Sequence, residues 1–269
     1  MKSILVHADD TAAMTTRLES ALTLARLRGG HVTLLVNTPF YRFVAMDPFG
    51  GAYLAAGALA DAQARDAVLA ARLETELANE DVSWDVVHGD GDLITALASA
   101  AALADLSIVT MTSAMPDRFD GAPLLAGDLA LASRAPVLAL PEEGGLFDLA
   151  GPALVAWNGS AEAATALRAA VPLLAGRDVT LLRIGAQQGQ FPDTAAAKYL
   201  ARHGVSAELR EQAASSLSTG QDLEATALDM GAALLVMGAF GRSRLRETLF
   251  GGVTRHLLNA ARVPLLLAH

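Results

Sequence analysis

The chain is built from two copies of one pattern of short apolar runs. Residues 31–35 (HVTLL) recur as residues 178–182 (DVTLL), and residues 135–138 (APVL) recur as residues 263–266 (VPLL). The first apolar runs of the two copies lie 149 positions apart, whereas the last runs lie 128 positions apart. Repetition on this scale predicts two domains of one fold, with extra length in the first copy between its second and fourth strands.

Within each copy, β-branched runs alternate with stretches rich in alanine and leucine. Residues 16–28 and 161–174 have the pattern of helices that stop at a following glycine, and Asp92 is a candidate N-cap of a helix that runs to Ala104. Strand–helix alternation with short links is typical of a parallel sheet. We therefore predict an α/β chain of two repeated, doubly wound domains with five parallel strands each. The predicted domains are residues 1–141 and 152–269, joined by a turn-rich linker.

The C-terminal copy carries the strongest functional signal, an apolar run that meets two glycine turns. Glycine lets a ligand approach the main chain closely. A helix N-terminus that follows the second glycine pair would favour an anion such as phosphate. Since open α/β sheets bind ligands at the carboxyl ends of their strands, the segment predicts a phosphate-binding loop. The residues of this predicted loop are Met237, Gly238, Gly241, Arg242, Gly251, Gly252 and Val253.

Composition excludes several classes of function. The chain has no cysteine, so it forms no disulfide, thiolate nucleophile or cysteine-based metal site. Its net charge of −9 argues against a general binder of nucleic acid or of anionic membranes. Its apolar stretches are shorter than the roughly 18 residues of a membrane span, and the first residues turn acidic too early for a signal peptide. We expect a soluble, cytoplasmic protein.

These features together resemble the universal stress protein family in its tandem, two-domain form. The resemblance is carried by residues 154–160 (LVAWNGS), by the Gly238-x2-Gly241-x9-Gly251 spacing and by the closing VPLL, and it covers essentially the whole chain. It implies the Rossmann-like fold of the adenine-nucleotide alpha-hydrolase type. Many members of the family bind ATP and others do not. Its members pair through their last strands, so a tandem chain would form an intramolecular pseudo-dimer.

The resemblance implies a site in the second domain for ATP or a related adenine nucleotide, bound with or without magnesium. The family's Ser or Thr at the terminal phosphate is Gly252 here, and its strand-1 Asp, near base and ribose, is Asn158. An asparagine can still donate and accept hydrogen bonds. The missing hydroxyl removes one hydrogen bond worth roughly 1 kcal/mol, which favours weaker binding or a ligand with fewer phosphates. The residues that line the base side are Trp157, Asn158 and Ile184.

The first copy departs further from the family. It keeps the strand-1 acid as Asp9, but an ungapped alignment places Thr110, Ser113 and Pro123 where the second copy has glycines. A proline has no backbone N–H to donate to a phosphate, and side chains obstruct close approach. We predict that the first domain has lost nucleotide binding, which leaves one site per chain.

Three functions stay open on the sequence alone. The first is a regulatory or protective stress protein that acts through ligand-dependent conformation or through protein partners. The second is a weak ATPase or self-phosphorylating protein, but we identify no catalytic residue and no set of metal ligands. The third is a nucleotide-free interaction module, in which the first domain and its aromatic segment, residues 39–57, would contact partners. The aromatic rings would either form a dimer contact or an apolar pocket, or cover the sheet of their own domain. Because a fold alone does not assign a function, the site has to decide among them.

Overall fold

The computed structural model describes residues 1–39, 43–46, 52–54, 56–111, 125–186, 189–239 and 252–269. By its contacts the chain divides into two compact units, Met1–Ile108 and Val109–His269. The strands in the described residues are β1 Ser3–Ala8, β2 His31–Thr38, β3 Val44–Met46, β4 Ala52–Leu54, β5 Ser83–Asp90, β6 Leu106–Thr110, β7 Val137–Leu140, β8 Ala153–Ala156, β9 Val179–Ile184, β10 Ala207–Gln212, β11 Leu234–Gly238 and β12 Leu265–Ala268. The helices are α1 Ala13–Arg28, α2 Ala56–Leu77, α3 Leu93–Ala100, α4 Leu125–Ala132, α5 Ala161–Leu174, α6 Asp193–Arg202, α7 Thr219–Asp229 and α8 Gly252–Ala260.

The first unit is built on parallel strands with β1 at their centre. β1 pairs with β2 on one side and with the first residues of β6 on the other, and β5 pairs with the outer side of β2. Apolar β1 residues such as Ile4 and Val6 are fully buried, as expected for a strand covered on both faces. The extra length of the first copy contains the antiparallel pair β3 and β4, which the sequence analysis did not predict.

The second unit contains the five parallel strands predicted for the second copy, in the order β10-β9-β8-β11-β12. A sixth strand, β7, comes from the first copy in sequence and pairs antiparallel with β12. α4, also from the first copy, packs against β12 and α8. The division into compact units follows these contacts rather than the repeat. The repeat boundaries, residues 1–141 and 152–269, therefore remain a proposal from the sequence.

Local sequence signals explain where the helices begin and end. α1 ends at Gly29, whose φ of 57° is the left-handed conformation common after a helix C-terminus. Ser160 caps α5 by accepting a hydrogen bond from the Ala163 N–H, and Asp92 caps α3 as predicted. α3 ends at Ala100 and passes into a short 3-10 turn, so the predicted single helix to Ala104 is two pieces.

The turn-rich segment between the two copies is held by one buried arginine. Arg177 is 6% exposed, and its guanidinium donates to three carbonyl oxygens, of Leu173 at 2.7 Å, Gly151 at 2.6 Å and Asp148 at 2.6 Å. The guanidinium also lies 5.3 Å from the centre of the Phe147 ring. Burial lowers the pKa of Arg177, although the nearby Asp148 carboxylate opposes this. The segment is thus an anchored connection.

Two sequence expectations concern surfaces. None of the helices in the described residues is long and apolar enough to cross a membrane. In the aromatic segment, residues 39–57, Phe43 is half-buried and Tyr53 lies in β4, whereas Phe40, Tyr41 and Phe49 lie outside the described residues. Both interpretations of this segment, a contact surface or a cover for the sheet of its own domain, therefore stay predictions.

Candidate functional site

The second unit has a point at which the chain changes direction across its sheet. From β8 the chain crosses to β9 on one side, and later returns to β11 on the other side of β8. Segments that leave the carboxyl ends of β8 and β11 therefore diverge, and such a divergence forms the crevice in which open α/β sheets bind ligands. We call this place the β8–β11 crevice, bordered by residues 157–160, by Gly238–Ala239 and by the first turn of α8.

The turn that follows β8 is fixed by its own hydrogen bonds. Asn158 Oδ1 accepts a hydrogen bond from the Ser160 N–H at 3.0 Å, and Gly159 has a φ of 73°. Ser160 Oγ accepts from the Ala163 N–H at 3.1 Å and so begins α5. The Asn158 side chain is exposed, and its Nδ2 donates to no residue in the described part of the chain. The turn therefore presents an amide N–H2 group that has no partner within the described residues.

Gly238, the last residue of β11, lies directly on the first turn of α5. A Cβ atom at this position would lie 2.5 Å from the Ala163 nitrogen and 2.5 Å from the Glu162 carbonyl carbon. Only a residue without a side chain allows this close approach of two backbones. The glycine is therefore required by packing, whether or not a ligand also approaches it.

The chain beyond Gly238 is anchored before it leaves the described residues. The Ala239 N–H donates to the Ala268 carbonyl at 2.9 Å, and the Ala239 carbonyl lies 3.0 Å from Nδ1 of His269. Gly241, Arg242 and Gly251 lie outside the described residues, so the predicted spacing of the loop stays a prediction. Where the description resumes, Gly252 is the exposed first residue of α8, and a Cβ atom there would meet nothing within 4 Å. Val253, next in the same turn, is half-buried.

The residues predicted for the base side have different surroundings. The Trp157 N–H donates to the Leu182 carbonyl at 2.8 Å, and the Trp157 side chain is 4% exposed. Its indole Nε1 is buried without a hydrogen-bond partner in the described residues. Met237 is 5% exposed, whereas Ile184 is partly exposed at the end of β9. Trp157 and Met237 are thus core side chains, and Ile184 is the more accessible of the three.

The sequence analysis missed a segment that lies against the β8–α5 turn. The Phe191 N–H donates to the Gly159 carbonyl at 3.0 Å, and a Cβ atom at Gly189 would lie 2.0 Å from that carbonyl. The start of this segment is tied down because Arg183 donates to the Gly185 carbonyl at 2.9 Å and pairs with Asp193 at 3.3 Å. The connection from β9 to α6 therefore borders the crevice on its β9 side. A lone glycine at position 189 is too weak a signal to reveal this contact from sequence.

The corresponding turn in the first unit has different chemistry. Asp9 Oδ1 accepts from the Thr11 N–H at 3.1 Å, from the Thr11 hydroxyl at 2.5 Å and from Arg17 Nη2 at 2.5 Å. The other carboxylate oxygen lies 3.4 Å from Nδ1 of His7. Arg17 is 1% exposed and His7 is 7% exposed. The Asp9 carboxylate is therefore neutralised by a buried arginine of its own unit.

These contacts shift the pKa values of two groups. Burial lowers the pKa of His7 from 6.5 to about 4, with a smaller contribution from Arg17, although Asp9 opposes the shift. Burial by itself would raise the pKa of Asp9, but the attraction of Arg17 and His7 and the hydrogen bonds from Thr11 and Arg17 lower it overall. The cluster is therefore a neutral histidine beside an ion pair at neutral pH.

Among the described residues, no group of three or more His, Asp or Glu side chains is arranged to hold a metal ion. Thr110, one of the residues that replace glycines in the first copy, is buried at the end of β6. Ser113 and Pro123, which replace the other two, lie outside the described residues.

Comparisons with known proteins identify what the second copy resembles. Residues 151–269 match the model of the universal stress protein family. A solved universal stress protein from Archaeoglobus fulgidus aligns with 99% of this chain and 96% of its own, with a TM-score of 0.74 at 13% identity. A putative universal stress protein from Pseudomonas aeruginosa aligns with 100% of this chain and 93% of its own, with a TM-score of 0.59 at 19% identity. A search of curated protein sequences finds no match.

Proposed function

We propose that this protein, whose residues 151–269 form a domain of the universal stress protein family, binds an adenine nucleotide in the β8–β11 crevice. The family match of this domain supports a stress-related role, and the proposal adds a ligand. Binding would act through the conformation of the segments that border the crevice and through protein partners that recognise it. We expect this regulatory or protective role to be exercised in the cytoplasm.

The proposal is supported by three features that the strand order assigns to one switch point of the sheet. The free amide of Asn158 follows β8, the close-packed backbone of Gly238 ends β11, and the N-terminal turn of α8 begins at Gly252. A turn with an amide donor and a helix N-terminus at the carboxyl ends of parallel strands suit a nucleotide better than a purely apolar ligand.

The first turn of α8 supports a phosphate contact on electrostatic grounds. The N–H groups of a helix's first turn lack intrahelical partners, and the helix dipole makes this end positive. The exposed Gly252 adds no side chain between these groups and a ligand. It also adds no hydroxyl, so a terminal phosphate would gain one hydrogen bond fewer than with Ser or Thr. This favours a nucleotide with fewer phosphates over ATP.

The test is calorimetric titration of the protein with ATP, ADP and AMP, with and without magnesium, in wild type and in Gly252→Asp. The new side chain has room, and a carboxylate suits the first turn of a helix, so the fold should be retained. The same carboxylate would repel a phosphate, so affinity should fall by about tenfold or more.

Gly57→Asp is the matched control. Gly57 also lies in the first turn of a helix, α2, and a Cβ atom there meets nothing within 4 Å. We expect one equivalent of nucleotide per chain, unchanged in the control. Two equivalents would show that the first unit also binds. An absence of binding to ligand-free wild type at millimolar nucleotide would contradict the proposal.

A further inference from the structure

We infer that Asn158 sets the ligand class of the β8–β11 crevice, which accepts a nucleotide with a phosphate on its ribose in addition to the 5′-phosphate. The inference rests on the proposed function, since it concerns the sugar of the same bound nucleotide. It follows from a comparison of two turns within this chain.

The turns at Asp9 and Asn158 have the same backbone hydrogen bond and different chemistry. In each, the side-chain Oδ1 accepts from the N–H two residues on, Thr11 at 3.1 Å and Ser160 at 3.0 Å. This bond orients the side chain and fixes which atom is left over. The remaining atom is a carboxylate oxygen in Asp9, which can only accept, and an amide nitrogen in Asn158, which can only donate.

The residues that surround the two turns also differ in charge and polarity. In the first unit, the buried Arg17 neutralises Asp9 and His7 lies beside it. At the equivalent positions, 149 residues later, the second unit has the alanines Ala166 and Ala156. Ala166 is 1% exposed, so its position holds no cation beneath Asn158. Among the described residues, Asn158 Nδ2 therefore has neither a hydrogen-bond partner nor a buried cation at the position of Arg17.

The order of the strands places Asn158 next to the middle of the ligand. β8 lies between β9 and β11 in the sheet. In the proposed binding mode the phosphate contact lies beyond β11, at the first turn of α8, which leaves the β9 side of the crevice, near Ile184, for the base. A nucleotide that spans these two ends brings its ribose over the end of β8, where Asn158 lies.

At this place a carboxylate and an amide select opposite ligands. A carboxylate accepts hydrogen bonds from free ribose hydroxyls and repels a phosphate on the sugar. An amide N–H2 donates to a phosphate oxygen, and a hydrogen bond to a charged acceptor is stronger than one to a neutral hydroxyl. Specificity here thus comes from removing a repulsive group as well as from adding a donor.

The experiment compares AMP with adenosine 3′,5′-bisphosphate, which differ by the 3′-phosphate alone, in magnesium-free calorimetric titrations. Wild type should bind the bisphosphate at least as tightly as AMP. Asn158→Asp should weaken binding of the bisphosphate about tenfold more than it weakens binding of AMP, because only the bisphosphate brings a second anion to the new carboxylate. The variant should fold, since Asp9 makes the same turn with a carboxylate.

Asn79→Asp, the same substitution at an exposed residue of the first unit, controls for the change in net charge. If neither nucleotide binds to wild type, the proposed function fails and the inference fails with it. If AMP binds to wild type and the bisphosphate binds more weakly, the inference alone is wrong. Equal weakening of both nucleotides by Asn158→Asp would also overturn it.

Discussion

At the end of β1, the Asp9 side chain contacts buried side chains of its own unit. Arg17 reaches Asp9 from α1 and is almost fully buried, and His7 lies beside the pair on β1. A buried ion pair contributes little net stability but is costly to break. The acid that the first copy shares with the family is therefore engaged within its own unit. This gives a second physical reason, besides the lost glycines, to expect no nucleotide there.

The buried His7 predicts a dependence of stability on pH. Its pKa is about 4 in the folded protein against 6.5 for the free side chain. Between these values the unfolded chain binds more protons than the folded one, so the free energy of unfolding falls as the pH decreases from 6.5 to 4. The loss should total about 3 kcal/mol. The lowered pKa of Asp9 extends the decline to more acidic pH.

Urea denaturation at a series of pH values measures this decline in wild type and in His7→Gln. The variant should lose most of the slope between pH 6.5 and 4, whatever its stability at neutral pH. His88→Gln, at an exposed histidine on β5, should keep the wild-type slope. A slope that survives in His7→Gln would assign the effect to other groups.

Between elements, the packing of β11 on α5 is the contact that shapes the crevice. α5 packs on β11 and β12. At Gly238 the strand end and the first turn of the helix touch backbone to backbone. The turn at Asn158 is held to the same helix through Ser160. Two borders of the crevice, the end of β11 and the turn at Asn158, are thus in direct contact with α5.

This packing predicts opposite effects for alanine at two glycines. Gly238→Ala should lower the free energy of unfolding by about 2 kcal/mol, because the new Cβ would overlap the backbone of Glu162 and Ala163. Gly252→Ala has open space in the first turn of α8, so it should leave stability unchanged or raise it by about 0.5 kcal/mol. Urea midpoints of the two variants check this contrast, and equal midpoints would contradict it.

In the whole molecule, the second copy of the repeat and the second compact unit do not cover the same residues. The unit begins at Val109 and includes β7 and α4 from the first copy. β7 is buried over its length and covers the edge of β12 through an antiparallel pairing. An uncovered apolar edge strand tends to associate with other chains. The second copy therefore depends on residues that precede it.

Two fragments test this dependence. Residues 109–269 should fold to a soluble, cooperative species, whereas residues 152–269 should be less stable by roughly 3 kcal/mol or should aggregate, because β12 loses its partner strand. Circular dichroism with urea titration and sedimentation of both fragments gives the comparison. Equal stability of two monomeric fragments would mean that β7 contributes little.

Sequence reasoning recovered the elements of the candidate site better than their surroundings. Asn158 and Gly238 follow or end neighbouring strands as the pattern predicts, because strand ends and turn glycines are local signals. The contact of Gly189 and Phe191 with Gly159 joins segments about 30 residues apart, and no local pattern encodes it. The burial of Trp157 was missed for the same reason, since a residue just after a strand is equally compatible with core and surface.

Local patterns in the sequence were enough to predict the α/β class, the repeat, the five parallel strands of the second copy and the family resemblance. These follow from hydrophobic period, caps and turn residues, whose free energies act over a few neighbouring positions. Only the folded structure shows that Arg17 neutralises Asp9 and that Gly238 is needed for packing on α5. Each of these contacts joins residues that are not neighbours in the sequence. Which residues meet is determined by the way in which helices and strands bury their apolar faces against each other.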